Sequence, residues 1–170
     1  MTIAFYVSAV IAVLATLLVI TQKNAVHALL YLIVSLLSVA IIFYTLGAPF
    51  VAALEVIIYA GAIMVLFLFV IMMLNVTQET IDQENRWLKL SGWWGPALLT
   101  AILIAELIYI MVSVGQPVGV PISQSPKQVG ITLFGPYLLG VELASMLLLA
   151  GLVGAYHLGQ RHTQDRRGGN

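Results

Sequence analysis

Three carboxylates stand in otherwise apolar surroundings and are the first places to look for chemistry: Glu55, Glu106 and Glu142. An ionisable group inside a bilayer costs roughly 2.5–3.5 kcal/mol on insertion scales, and is a functional candidate for that reason. A carboxyl that takes up and releases a proton near neutral pH is what a proton path needs. One that stays hydrogen-bonded to a neighbouring helix only holds helices together. Glu55 and Tyr59 are four residues apart, so on an α-helix the phenol can meet the carboxyl. Other chemistries have little to work with. Cysteine is absent, which removes thiolate zinc sites, iron–sulfur ligation, a cysteine nucleophile and disulfides. His27 and His157 stand at the ends of apolar runs, where a haem between two helices is conceivable. A histidine at a helix end is more often an interfacial hydrogen-bonding group, and that reading is kept.

The elements that must position these groups follow from composition. Of 170 residues, 61% are hydrophobic and 8% charged, and the formal net charge is zero. A soluble domain carries about 25% charged residues. The chain therefore reads as an all-α integral membrane protein in contact with lipid, and its charge offers no footprint for nucleic acid. A helix crossing the bilayer needs about 20 apolar residues. Five runs qualify, at 3–20, 25–46, 51–74, 97–114 and 136–157, so residues 1–158 read as one five-helix transmembrane domain. Thr21, Gln22, Lys23 and Asn24 interrupt the first two runs; Gly47, Ala48 and Pro49 end the second. A charged connector follows at 79–89, the stretch 115–130 reads as a loop, and 159–170 as a polar cytoplasmic tail. The first run has no basic residues ahead of it and no small-residue cleavage site before Lys23, so it reads as a span rather than a signal peptide.

Five spans put the termini on opposite sides. One face then collects Lys23, Arg86, Lys89, Arg161, Arg166 and Arg167, and the other only Lys127. The positive-inside rule places the N-terminus outside, in the periplasm, and the C-terminus in the cytoplasm. Trp87, Trp93 and Trp94 then flank the cytoplasmic start of the fourth span as interfacial anchors. At a rise of 1.5 Å per residue, Glu55, Glu106 and Glu142 lie about 6, 12 and 9 Å inside the outer ends of their spans. All three fall in the outer half of the bilayer.

The third run is the unusual one. As straight α-helix, 51–74 would be about 36 Å long, more than the ~30 Å hydrocarbon core. Tilt or a local irregularity must absorb the excess. Tyr59-Ala60-Gly61-Ala62 is the expected place, because glycine weakens the helix and small neighbours allow close backbone approach. Residues 64–73 then contain no polar side chain, a dry section that would gate water if the helix rotated. The fifth run has small residues at helical spacing, Gly140 with Ala144 and Ala150 with Gly154, which favours tight packing.

Residues 53–75, Ala-Leu-Glu-Val-Ile-Ile-Tyr-Ala-Gly-Ala-Ile-Met-Val-Leu-Phe-Leu-Phe-Val-Ile-Met-Met-Leu-Asn, resemble the third helix of chain J of bacterial NADH:quinone oxidoreductase, respiratory complex I. Residues 24–31, Asn-Ala-Val-His-Ala-Leu-Leu-Tyr, resemble the start of that family's second helix, and 130–145 the start of its fifth. The resemblance implies a multi-pass subunit of the bacterial cytoplasmic (inner) membrane, beside chains H, A, K and N. It implies that this chain binds no cofactor, while the complex uses FMN, iron–sulfur clusters, NADH and quinone. In that family the third helix carries a π-bulge whose formation and relaxation are thought to make or break a water path toward the central proton axis. By resemblance Tyr59, Gly61 and Val65 fall at this element, with Glu55 one turn before it. Met64 and Phe67 fall in the section that interrupts water, and Glu142 is a further proton-path candidate. Glu106 matches nothing in the family pattern and takes no role from it.

Two other functions compete. Multisubunit cation/proton antiporters contain a similar domain, generally fused within a much larger chain, so a chain of 170 residues is expected to be the oxidoreductase subunit. A purely structural membrane subunit is the other, with carboxylates that serve only as helix contacts.

Overall fold

The computed structural model describes residues 2–74, 93–113 and 124–159. The elements are α1 (Thr2–Thr21), α2 (Ala25–Thr45), α3 (Pro49–Leu54), a π-helix π1 (Glu55–Ile63), α4 (Met64–Leu74), α5 (Trp94–Ser113), α6 (Pro126–Leu133) and α7 (Leu138–Gly159). α1, α2, the continuous series α3–π1–α4, α5 and α7 are each long and apolar enough to cross a membrane. Five spans are thus present as helices. The connector 79–89, Trp87 and the residues from 160 onward, with Arg86, Lys89, Arg161, Arg166 and Arg167, lie outside the described residues.

Several boundaries differ from expectation, and the third span begins at Pro49 rather than 51. α5 begins at Trp94 rather than 97. Pro96 is still in its first turn, where the missing N–H costs nothing, and the Ala97 N–H donates to the Trp93 carbonyl at 3.0 Å. Residues 126–133, of which 126–130 are expected within a loop, form α6, with Pro126 as its first residue. Polar, Gly-containing composition hid a short helix that its proline is well shaped to start. The fifth span begins at Leu138 rather than 136, and runs to Gly159. Pro136 cannot donate, and it disfavours helix at Gly135, so the chain turns through 134–137 before the span starts.

The chain divides into two compact units, Met1–Ser125 and Pro126–Asn170. In the first, α1 and α2 pack along a seam whose sequence explains it. Ala4, Ser8, Ile11 and Ala15 are buried at intervals of four, three and four residues, one stripe of a helix. Small side chains on that stripe let backbones approach, as membrane helices without a hydrophobic driving force require. Ile11, Ala15, Val34 and Leu103 form the buried cluster, with Leu37, Ile41 and Leu99 against it, so α5 closes the seam.

Local chemistry sets the ends. Asn24 caps α2, its Oδ1 accepting from the Val26 N–H at 2.8 Å and the His27 N–H at 3.3 Å. After α2, Gly47 takes φ 82°, a left-handed turn that only glycine adopts cheaply, and Pro49 opens α3. The starts of α2 and α5 lie together: the His27 and Trp93 rings meet edge to face at 6.4 Å, and the Tyr31 hydroxyl sits against Gly95. Alternating spans require this, since α2 and α5 cross in the same direction. In the second unit, α6 and α7 carry no buried residue.

Candidate functional site

The irregularity expected in the third span is a π-helix of nine residues, Glu55–Ile63, set between α3 and α4. Backbone angles on either side are ordinary α: φ −63°, ψ −39° at Leu54 and φ −68°, ψ −36° at Met64. The Met64 N–H reaches the Tyr59 carbonyl, five residues back, which is the π register. Gly61 is what the sequence contributes. A Cβ there would stand 3.1 Å from the Val56 carbonyl oxygen, so any larger side chain presses on the backbone of this wide turn.

The site residues are distributed unevenly along the span. Glu55 is the first residue of π1 and half-buried, and Tyr59 is 49% exposed. No hydrogen bond joins the two among the described residues, contrary to the expectation from their spacing. Met64 is buried at 5% exposure, while Val65 and Phe67 are each about half exposed, at 47% and 51%. Glu142 lies on α7 in the second unit, exposed, with Ser145 donating to its backbone carbonyl rather than to its carboxylate. π1 itself contains no buried residue. Beside it, an apolar cavity of about 480 Å³ between α2, α3 and α5 is lined by Ile41, Ala52, Val56, Leu103 and Leu107 among others. Val56, on the first turn of π1, is part of this lining.

One carboxylate candidate took no role from the family resemblance, and its partner was not foreseen. Glu106 is the most enclosed carboxylate of the described residues, 8% exposed, and the Ser8 hydroxyl donates to its Oε2 at 3.0 Å. Hydroxyls continue along the α1–α2 seam, with Ser35 and Ser38 buried and Thr16 exposed. Thr16 and Ser35 hydrogen-bond at 2.9 Å, and Ser38 donates to the Val34 carbonyl at 2.8 Å. The available signal was the small-residue stripe of α1, which contains Ser8.

Metal and cofactor chemistry has few donors here. Among the described residues no three His, Asp or Glu side chains converge. Without cysteine the chain has no thiolate for an iron–sulfur cluster, so it does not fit as the holder of one.

Comparison with known proteins assigns the family. The family described as NADH-ubiquinone/plastoquinone oxidoreductase chain 6 matches residues 15–158. NADH-quinone oxidoreductase subunit J of Escherichia coli (strain K12) is 59% identical over 159 residues, 92% of this chain and 85% of the relative. The subunit J of Pseudomonas aeruginosa is 56% identical over 163 residues, covering 95% and 98% of the two chains. That of Buchnera aphidicola subsp. Schizaphis graminum is 53% identical over 156 residues, covering 92% and 96%. With the match spanning five apolar helices and the π-helix between them, the chain belongs to the chain 6, or subunit J, family and is a membrane subunit of NADH–quinone oxidoreductase.

Proposed function

We propose that π1 is a bistable coupling element, through which this subunit helps link quinone reduction to proton translocation. The observation that carries the reading is a nine-residue π-helix inside an apolar span, with a carboxylate at its first position. A π-helix has poorer hydrogen-bond geometry than the α-helix on either side, so the two registers are close enough in energy to exchange. Moving one residue between registers turns everything beyond it by about 100° and shifts it by about 1.5 Å. That rotation would swing Val65 and Phe67 to a new face, while Met64, at the joint, moves least. The cavity beside Val56 supplies room for the motion. Long-range coupling needs such an element with two discrete arrangements.

In this reading Glu55 and Tyr59 supply polar groups on the wet side of the joint, and Glu142 extends the path. Met64, Val65 and Phe67 form the dry section, and Gly61 makes the exchange possible. The N-terminus faces the periplasm and the C-terminus the cytoplasm of a bacterial inner membrane, with chains H, A, K and N as neighbours. The complex supplies FMN, iron–sulfur clusters, NADH and quinone from other chains. The relatives found are oxidoreductase subunits, and the antiporter reading is not retained.

Gly61→Leu tests the gate. Coupled quinone reductase activity is expected to fall while NADH oxidation by an artificial acceptor persists. Normal pumping by an assembled variant would rule the gate out. Glu55→Gln separates the structural reading: an unchanged rate and proton-to-electron ratio would leave the carboxyl with no part in transport.

A further inference from the structure

The α1–α2–α5 seam holds a carboxyl that the gate does not use. Glu106 is 8% exposed, Ser8 is fully buried, and their hydrogen bond joins residues 98 apart in sequence. The carboxyl's other oxygen, Oε1, is enclosed by this chain and has no hydrogen-bond partner among the described residues. Because the enclosure is made by the chain itself, a neighbouring subunit cannot reach Oε1 without opening the seam.

Charge accounting then decides the form of the group. Along α1, α2 and α5 there is no Lys, Arg or Asp, and no Glu besides Glu106 itself. The titratable groups on these elements are Tyr6, His27, Tyr31, Tyr44 and Tyr109. Tyr6 and Tyr109 are exposed, and His27 and Tyr31 sit at the opposite end of the seam, against Trp93 and Gly95. Tyr44 lines the apolar cavity. Lys23, just beyond α1, is fifteen residues from Ser8, about 22 Å along the axis. An ionised Glu106 would be an unpaired buried charge with one donor for its several lone pairs, the arrangement proteins avoid most strongly. A neutral acid leaves only a single O–H to accommodate.

We propose that Glu106 is a second proton-binding site of this chain, carrying its proton on Oε1 while Oε2, as the carbonyl oxygen, accepts from Ser8. The site is independent of π1. It keeps the seam electrically neutral and ties α1 to α5 by a hydrogen bond between acid and hydroxyl.

Infrared difference spectroscopy on the purified, assembled oxidoreductase tests this. Wild type minus Glu106→Gln is expected to contain one carbonyl band of a protonated acid that the variant lacks. Loss of ionised-carboxylate bands instead, or no acid band, would overturn the proposal. Where Glu106→Gln does not assemble, Ser8→Ala keeps the carboxyl and removes its donor. The acid band should then move to higher frequency, and no change in the acid region would overturn the assignment. Glu55→Gln should leave the band in place; its loss there would overturn the independence from π1.

Discussion

Two carboxylates of the first unit, Glu55 and Glu106, occupy opposite kinds of surroundings. Glu106 sits in a seam of small residues, sealed by three helices and held by Ser8. Glu55 opens a π-helix with no buried residue, beside a cavity of about 480 Å³. Both sit in apolar spans, yet packing encloses one and leaves the other half-buried, as the proposed register change of π1 requires. The regions of a protein that move are drawn from those with fewest buried contacts, and the contrast between seam and π-helix follows that rule.

The comparison breaks most readily at Glu106. Glu106→Ala leaves the Ser8 hydroxyl without its acceptor and opens a hole in the seam, so thermal unfolding of the purified complex should show a loss of about 2–4 kcal/mol. A loss within 0.5 kcal/mol would mean the seam is not what holds α1 to α5. Next comes Gly61→Ala. Alanine favours α-helix over glycine by about 1 kcal/mol, and its Cβ presses on the Val56 carbonyl only in the π register. Coupled activity should fall about tenfold, equivalent to about 1.4 kcal/mol, with stability unchanged or raised. Unchanged activity would show that the π register is not needed in turnover.

Smaller effects sharpen the same contrast. Asn24→Ala removes the cap of α2, a seam helix, and should cost about 1 kcal/mol in unfolding without altering the quinone reductase rate. Glu55→Ala should change unfolding by less than about 0.5 kcal/mol, because the half-buried side chain holds nothing in place. Its effect should appear in proton-to-electron ratio. A large stability loss would move Glu55 into the same class as Glu106.

Much of the fold was legible in residue order. Apolar runs of the right length become helices because no other element satisfies the backbone in a bilayer core, and every run of that length is a helix here. Short-range chemistry was legible too: Asn24 caps, Gly47 turns and Pro49 starts a helix where their side chains dictate. α6 was missed because it is short and less apolar than the spans, with Gly and Lys among its eight residues, and so reads as loop. The spacing of Glu55 and Tyr59 put a contact within reach but did not fix it, because side-chain conformation and not spacing alone decides whether the two groups meet.

The candidate site divides along the same line. Length excess and Gly61 pointed to an irregularity in the third span, and family resemblance gave it a form, but no local rule chooses a π-helix over tilt. That choice depends on how the backbone around Gly61 and Val56 settles against its surroundings. Glu106 shows the limit most clearly. Its residue type and depth mark it as costly in a membrane, which sequence alone determines, because the cost belongs to the charge. Whether that charge is buried or lipid-facing, and what meets it, was decided by a hydroxyl 98 residues away. Hydrophobic length is a property of a segment and can be read from the segment. Hydrogen bonding across a seam is a property of two segments, and only their packing brings the partners within 3 Å.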